Sequence, residues 1–258
     1  MNKYYSKIKY LEDSRSMLNL GCGTRMHFAW NNLDFSFYAL LSQHKFLVKI
    51  LKLIRFLSEE RYQKFAQIDP DIIHWDVRKG IPFNKNTFDV VYSSHLLEHL
   101  DKNVAKFFCQ ECYRILKPNG IIRIVVPDLH KIVMNYCQAF LKISKEKKEY
   151  SKEHEMAINE LFGQMVRKET FATSNQKIIV QKIENFIRGN AQKAGEAHLW
   201  MYDKYSLKGL LNSAGFSEIE VFDTAKSRIK NWKEFNLDTD SNGKSFKTNS
   251  LYIEGIKK

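Results

Sequence analysis

The apolar run Met17-Leu18-Asn19-Leu20 breaks abruptly at Gly21-Cys22-Gly23, and this junction constrains the fold more than any other feature of the chain. Glycines placed directly after a buried strand permit backbone conformations and close approaches denied to other residues. Four further runs repeat the strand character, at 30–35, 72–75, 88–93 and 121–126, the last closed by Pro127. Between the last two, residues 102–116 place Val104, Phe107, Phe108, Cys112, Ile115 and Leu116 at helical spacing. Lys117-Pro118-Asn119-Gly120 is expected to stop that helix, because proline cannot continue it and Asn-Gly favours a turn. Strand, helix and strand in that order predict a parallel sheet. Further on, 204–214 reads as a helix stopped by Gly215, and 219–222 and 249–256 read as strands.

Two stretches interrupt this scheme. Residues 36–66 are helical and apolar, and 132–190 form a long helical block with the charge run Lys145-Glu146-Lys147-Lys148-Glu149. With no internal repeat and no linker composition, the expectation is one domain over 1–258 with two helical insertions. A hydrophobic content of 44% in 258 residues excludes a disordered chain. No uncharged apolar run is long enough for a spanning helix, and the first residues lack the apolar core of a secretory signal. Cys22, Cys109, Cys112 and Cys137 are too few for a disulfide framework, so a reducing cytoplasm is expected. A net charge of +12 favours anionic partners.

The glycine pair gains meaning from two acidic residues downstream. Asp34 ends the second strand candidate and Asp76 comes directly after the third. A carboxylate at a strand tip beside a glycine turn can accept both hydroxyl hydrogens of a ribose. The stretches LNLGCG (18–23), WNNLD (30–34), HWDVRKGIPF (74–83), FDVVYSSHLLEHL (88–100), ECYRILKPNGIIRIVVPDL (111–129) and AHLWMYDKYSLKGLLNSAGF (197–216) occur in that order. Together they resemble the class I S-adenosylmethionine-dependent methyltransferases, in the branch associated with surface-polysaccharide and glycolipid biosynthesis. The resemblance implies an α/β, doubly wound, Rossmann-like sheet of seven strands in the order 3-2-1-4-5-7-6, with the last strand antiparallel. It also implies S-adenosylmethionine as cofactor. Gly21 and Gly23 would then face its methionine part, Asp34 the ribose and Asp76 the adenine amino group, with Asn19 and Cys22 also among the cofactor-binding residues. Val77 would pack against the adenine, and Ser93 would lie beneath the cofactor. Arg25 stands where the family commonly has a third glycine. Gly21 and Asp34 are also closer in sequence than the roughly twenty residues of a dinucleotide fingerprint, so the helix between them must be short or absent.

A methyltransferase acting on a hydroxyl needs a base, and histidine is the natural one near neutral pH. By this reasoning the candidates are His95 and His198, with Asp128 as a third. His95-Leu96-Leu97-Glu98-His99 also spells the inverted zinc-protease pattern, but that chemistry needs a third ligand and a helix, so no metal is expected. Cys109 and Cys112 form a C-x-x-C inside an amphipathic helix, which suits a core-facing Cys112 and an incidental Cys109. Residues 45–57 form a basic amphipathic helix carrying Lys45, Lys49, Lys52 and Arg55. It suits either a lid over the core or substrate, or a contact with the anionic inner face of a membrane. The acceptor implied by the resemblance is a sugar or a glycan or glycolipid precursor. The competing functions are an RNA methyltransferase, suggested by charge alone and lacking any basic-aromatic motif, and a non-catalytic cofactor-binding scaffold, suggested by Arg25.

Overall fold

β1 (Met17–Leu20) is buried at every residue, as a strand covered on both faces of a parallel sheet must be. It pairs in parallel with β2 (Asn31–Asp34) on one side and β4 (Phe88–Ser94) on the other. β3 (Ile73–His74) continues the sheet beyond β2, and β5 (Leu116–Pro127) continues it beyond β4, both parallel. β7 (Ser250–Ile256) inserts antiparallel between β5 and β6 (Ser217–Phe222). The resulting order is 3-2-1-4-5-7-6, the doubly wound Rossmann-like arrangement. The structure, a computed structural model, describes residues 8–42, 44–53, 59, 62–63, 68–69, 71–146, 151–164, 198–240 and 242–258. Among the described residues no helix is long and apolar enough to cross a membrane.

α1 (Phe37–Ser42) and α2 (Lys45–Leu53) come after β2, and α3 (Lys102–Ile115) packs its buried face into the main core. Asp101 starts α3 by accepting from the Asn103 and Val104 amides, which lack intrahelical partners. Its buried face is Ala105, Phe108, Cys109, Cys112 and Ile115, a 3.6-residue stripe. Cys109 is therefore a core residue like Cys112, not an incidental one. Burial pushes the Cys109 thiol up to about 12, which suits packing and not redox work. α4 (Leu129–Glu146) and α5 (Lys152–Gln164) account for the start of the second insertion, while 165–197 lie outside the described residues. α6 (Lys204–Ser213) is opened by an Asp203–Ser206 capping box and followed by Gly215 at φ +102.

One local expectation needs correction. The helix stops at Ile115, but 117–120 is no free turn, because the chain joins β5 at Leu116, opposite Phe88. Asn119 takes φ 63 and its amide donates to the Lys257 carbonyl at 2.7 Å, while the Lys257 amide donates to the Gly120 carbonyl at 3.0 Å. The end of the neighbouring strand thus satisfies the polar groups of a kinked strand entrance. A Cβ at Gly120 would meet the Lys117 carbonyl oxygen at 2.8 Å, so this kink requires glycine.

Candidate cofactor and acceptor site

No helix lies between β1 and β2; the chain turns back within residues 21–30. The Gly21 and Cys22 amides both donate to the Leu33 carbonyl, at 2.8 and 3.2 Å, which folds the glycine loop over the tip of β2. Gly21 and Gly23 take φ +67 and +52, and nothing stands within 4 Å of a Cβ built on Gly23. The loop therefore has an open cradle that any larger residue would fill. Asn19 pins its far end, its amide nitrogen donating to the Arg25 carbonyl at 2.8 Å. Arg25 lies outside the positive-φ residues, so the missing third glycine costs no backbone strain. Its guanidinium sits 3.1 Å from the centroid of the Phe246 ring.

Asp34, 8% exposed, accepts from the Gly23 amide at 2.8 Å and the Ser36 amide at 2.6 Å. A carboxylate has about four acceptor positions, so room remains for both hydroxyls of a ribose. Asp76 caps the 3₁₀ turn Val77–Lys79 and accepts from Arg78 through its amide and its guanidinium. Burial pushes the Asp76 carboxyl up, but the Arg78 hydrogen bonds and charge outweigh it and hold it below the usual range. About one acceptor position on Asp76 is left for an adenine amino group. Val77 is buried in the main core.

Above the glycine loop lies a cavity of about 350 Å³. Asn19, Gly21, Cys22, Gly23 and Arg25 form one wall, and Tyr92, Ser94 and His95 from the end of β4 form the next. Ser93 does not line it, because alternate residues of a strand face opposite sides of the sheet; Ser94 does. The far wall is Asp238, Phe246, Lys247 and Tyr252 from the C-terminal quarter of the chain. Beneath it runs a buried ionic network. Arg123, fully buried on β5, pairs with Asp238 at 2.7 Å and Glu254 at 2.6 Å, and the Tyr92 hydroxyl donates to Asp238 at 2.6 Å. Burial drives the Asp238 carboxyl up despite Arg123, and drives the Tyr92 phenol up with the help of Asp238.

The histidines part company. His95 lines the cavity, with backbone φ 52, a left-handed conformation that costs about 1–3 kcal/mol and clusters at functional sites. Its Nδ1 lies 3.0 Å from Glu98 Oε1 and its Nε2 3.1 Å from Ser250 Oγ. His198 is not in the cavity wall; its ring meets His99 edge-on at 4.8 Å, and its Nδ1 lies 3.1 Å from the Gln164 carbonyl. Glu98, His99 and His198 bring donor atoms within 4.8 Å of one another, so the fold places His198 where the zinc pattern lacked a third ligand. Asp128 is also outside the cavity wall; it caps the start of α4 by accepting from the Lys131 amide, and forms a bridge with Tyr202.

Residues 18–124 match the family model described as a methyltransferase domain. Over this stretch the chain is similar to a methyltransferase domain. Its cofactor is S-adenosylmethionine, and the open glycine loop and the spare acceptor positions of Asp34 fit that group. No curated protein matches the chain. Among solved structures it is similar to an S-adenosylmethionine-dependent methyltransferase from Archaeoglobus fulgidus, with 14% identity, a TM-score of 0.42, and coverage of 94% of this chain and 86% of that one. It is also similar to a possible exported protein from Bordetella parapertussis, with 9% identity, a TM-score of 0.41 and 98% of this chain covered; this chain spans 64% of that protein. A third similarity is to phosphoethanolamine N-methyltransferase 2 of Haemonchus contortus, with 13% identity, a TM-score of 0.41, and coverage of 99% and 50%. Likenesses this distant carry no information on substrate. The methyltransferase stretch holds the glycine loop, Asp34, Asp76 and His95, whereas Asp238, Phe246, Lys247 and Tyr252 lie outside it. The sequence reading missed those four, together with Tyr92 and Ser94. Strand alternation in β4 could have picked out Tyr92 and Ser94; nothing local marks the other four.

Proposed function

We propose that the protein transfers the methyl group of S-adenosylmethionine to a hydroxyl of a sugar or of a glycan or glycolipid precursor, with His95 as base. The supporting observation is that His95 and the glycine loop share one cavity, with a wall supplied by residues beyond the methyltransferase stretch. Methyl transfer from a sulfonium is an in-line displacement, so the protein chiefly aligns the acceptor and removes its proton. Arg25 and Lys247 in the cavity walls favour an acceptor carrying negative charge, such as a nucleotide sugar. The test is a labelled-methyl screen against nucleotide sugars and glycolipid precursors; label found only in RNA or protein would refute the reading.

A peripheral membrane contact through α2 belongs to the same proposal. Val48 packs with Cys22 and Ile72, while Phe46, Ile50 and Leu53, one face at i, i+4 and i+7, are 77%, 38% and 83% exposed. Lys49 is exposed beside them, which suits an anionic bilayer at the inner face of the membrane. Arg55 and Leu57 lie outside the described residues. Co-sedimentation with phosphatidylglycerol vesicles but not phosphatidylcholine vesicles, lost in Phe46→Asp/Leu53→Asp, is expected; equal recovery with both would refute the contact.

A further inference from the structure

Glu98 is outside the cofactor cavity wall, yet its carboxylate is wholly buried, at 0% exposure. Neither of its oxygens has a hydrogen-bond partner among the described residues; His95 Nδ1, 3.0 Å from Oε1, stands at ion-pair range without making one. A buried carboxylate left in that state is costly, and buried charges are paired or coordinate a metal. Two imidazoles stand beside it. Glu98 and His99 are neighbours on the 3₁₀ turn Leu97–His99, and the His198 ring meets His99 edge-on at 4.8 Å. One donor atom from each of the three residues lies within 4.8 Å of the other two. We propose that Glu98, His99 and His198 bind a divalent transition-metal ion of the zinc class, which ties the chain at His198 to the 3₁₀ turn. The site is independent of the reading of the protein as a hydroxyl methyltransferase.

The donor set fits such an ion. Two imidazoles and one carboxylate hold zinc at about 2.0–2.2 Å per bond and leave a fourth tetrahedral position to water. Imidazole suits zinc, copper, iron and nickel, whereas magnesium and calcium favour shells of oxygen. The ligand atom of His198 is fixed. Its Nδ1 lies 3.1 Å from the Gln164 carbonyl, which can only accept, so the neutral ring carries its proton there and keeps the Nε2 lone pair. Metal-bound imidazoles commonly donate their other N–H to a carbonyl or carboxylate in this way. The backbone holds the ligands together before any ion arrives, because the Leu199 and Trp200 amides donate to the Glu98 carbonyl at 2.7 and 3.2 Å. The inverted zinc-protease pattern would pair His95 with His99 along a helix; the fold instead joins two adjacent residues of a turn to a distant histidine. None of the three ligands lines the cavity, so the ion acts on the fold around His198 and not on methyl transfer.

The test reads metal content and its effect on stability. Full-length protein stripped with chelator and then dialysed against Zn²⁺ should retain one equivalent by elemental analysis. Co²⁺ in its place should give the visible absorption of a tetrahedral site. Adding Zn²⁺ to the stripped protein should raise the thermal unfolding temperature, because the ion binds the folded state. Glu98→Gln keeps the buried volume and removes the anionic ligand; it and His198→Ala should each lose the bound equivalent, the cobalt spectrum and the thermal shift. His95→Ala should keep all three, because His95 is not a ligand. No saturable uptake by the wild-type protein would overturn the proposal and leave Glu98 as the partner of a protonated histidine. An equivalent kept in either folded variant, or lost in His95→Ala, would also overturn it by placing the ion elsewhere. If Glu98→Gln does not fold, His198→Ala decides, since that side chain is only half-buried.

Discussion

Replacing Asp34 by alanine tests the cofactor site at its tightest point. The carboxylate already holds the Gly23 and Ser36 amides, which leaves about two acceptor positions for a ribose diol. Two hydrogen bonds to a charged acceptor are worth roughly 1.5–3 kcal/mol each, so Asp34→Ala removes about 3–6 kcal/mol of cofactor binding. At about 1.4 kcal/mol per decade, the dissociation constant should rise on the order of 10²- to 10⁴-fold. The two amides left without an acceptor lie at the loop surface, where water replaces the carboxylate, so the loss should appear in binding more than in folding. Asp34→Asn keeps the shape and one acceptor oxygen, and should fall between wild type and alanine. Titration calorimetry with S-adenosylmethionine gives the affinity, and thermal unfolding without ligand gives the control. An Asp34→Ala affinity within about threefold of wild type, well under one decade, would refute the ribose assignment.

Gly23→Val should abolish detectable cofactor binding in the same assay, because a branched side chain would enter the open cradle and force an unfavourable φ. His95→Ala should lower turnover by at least about tenfold, while cofactor affinity changes by less than about threefold. His198→Ala should change turnover and the acceptor's Michaelis constant by less than about threefold, because His198 lies outside the cavity wall; a loss of about tenfold or more there, with His95→Ala unchanged, would move the base to His198. Chelator should leave cofactor binding unchanged in calorimetry, because Glu98, His99 and His198 lie outside the cavity wall; lost binding would show that an ion there supports the cofactor site. Arg123→Met should cost about 3–5 kcal/mol in urea unfolding, because it strands Asp238 and Glu254 as buried carboxylates without their cation.

The order of strands and helices, the glycine turn after β1 and the buried stripe of α3 come from the local pattern of residues, because strand and helix periodicities are properties of short segments. The place of Asp34 at the tip of β2, next to that turn, has the same origin, since parallel neighbours in this topology align their C-terminal ends. The same local reasoning treated 117–120 as a turn, whereas the polar groups of that stretch are satisfied by Lys257, far away in sequence. It treated Cys109 as incidental, because one more apolar position on a helix cannot be judged buried until its neighbour is known. The separation of His95 from His198 and Asp128 depends on which face of the sheet each strand end reaches, and only the packed structure decides that. The cavity's far wall comes from Asp238, Phe246, Lys247 and Tyr252, whose place depends on β7 inserting antiparallel beside β5. The pairing of Arg123 with Asp238 and Glu254 is of the same kind: a lone arginine in an apolar strand becomes tolerable only when distant carboxylates are folded against it.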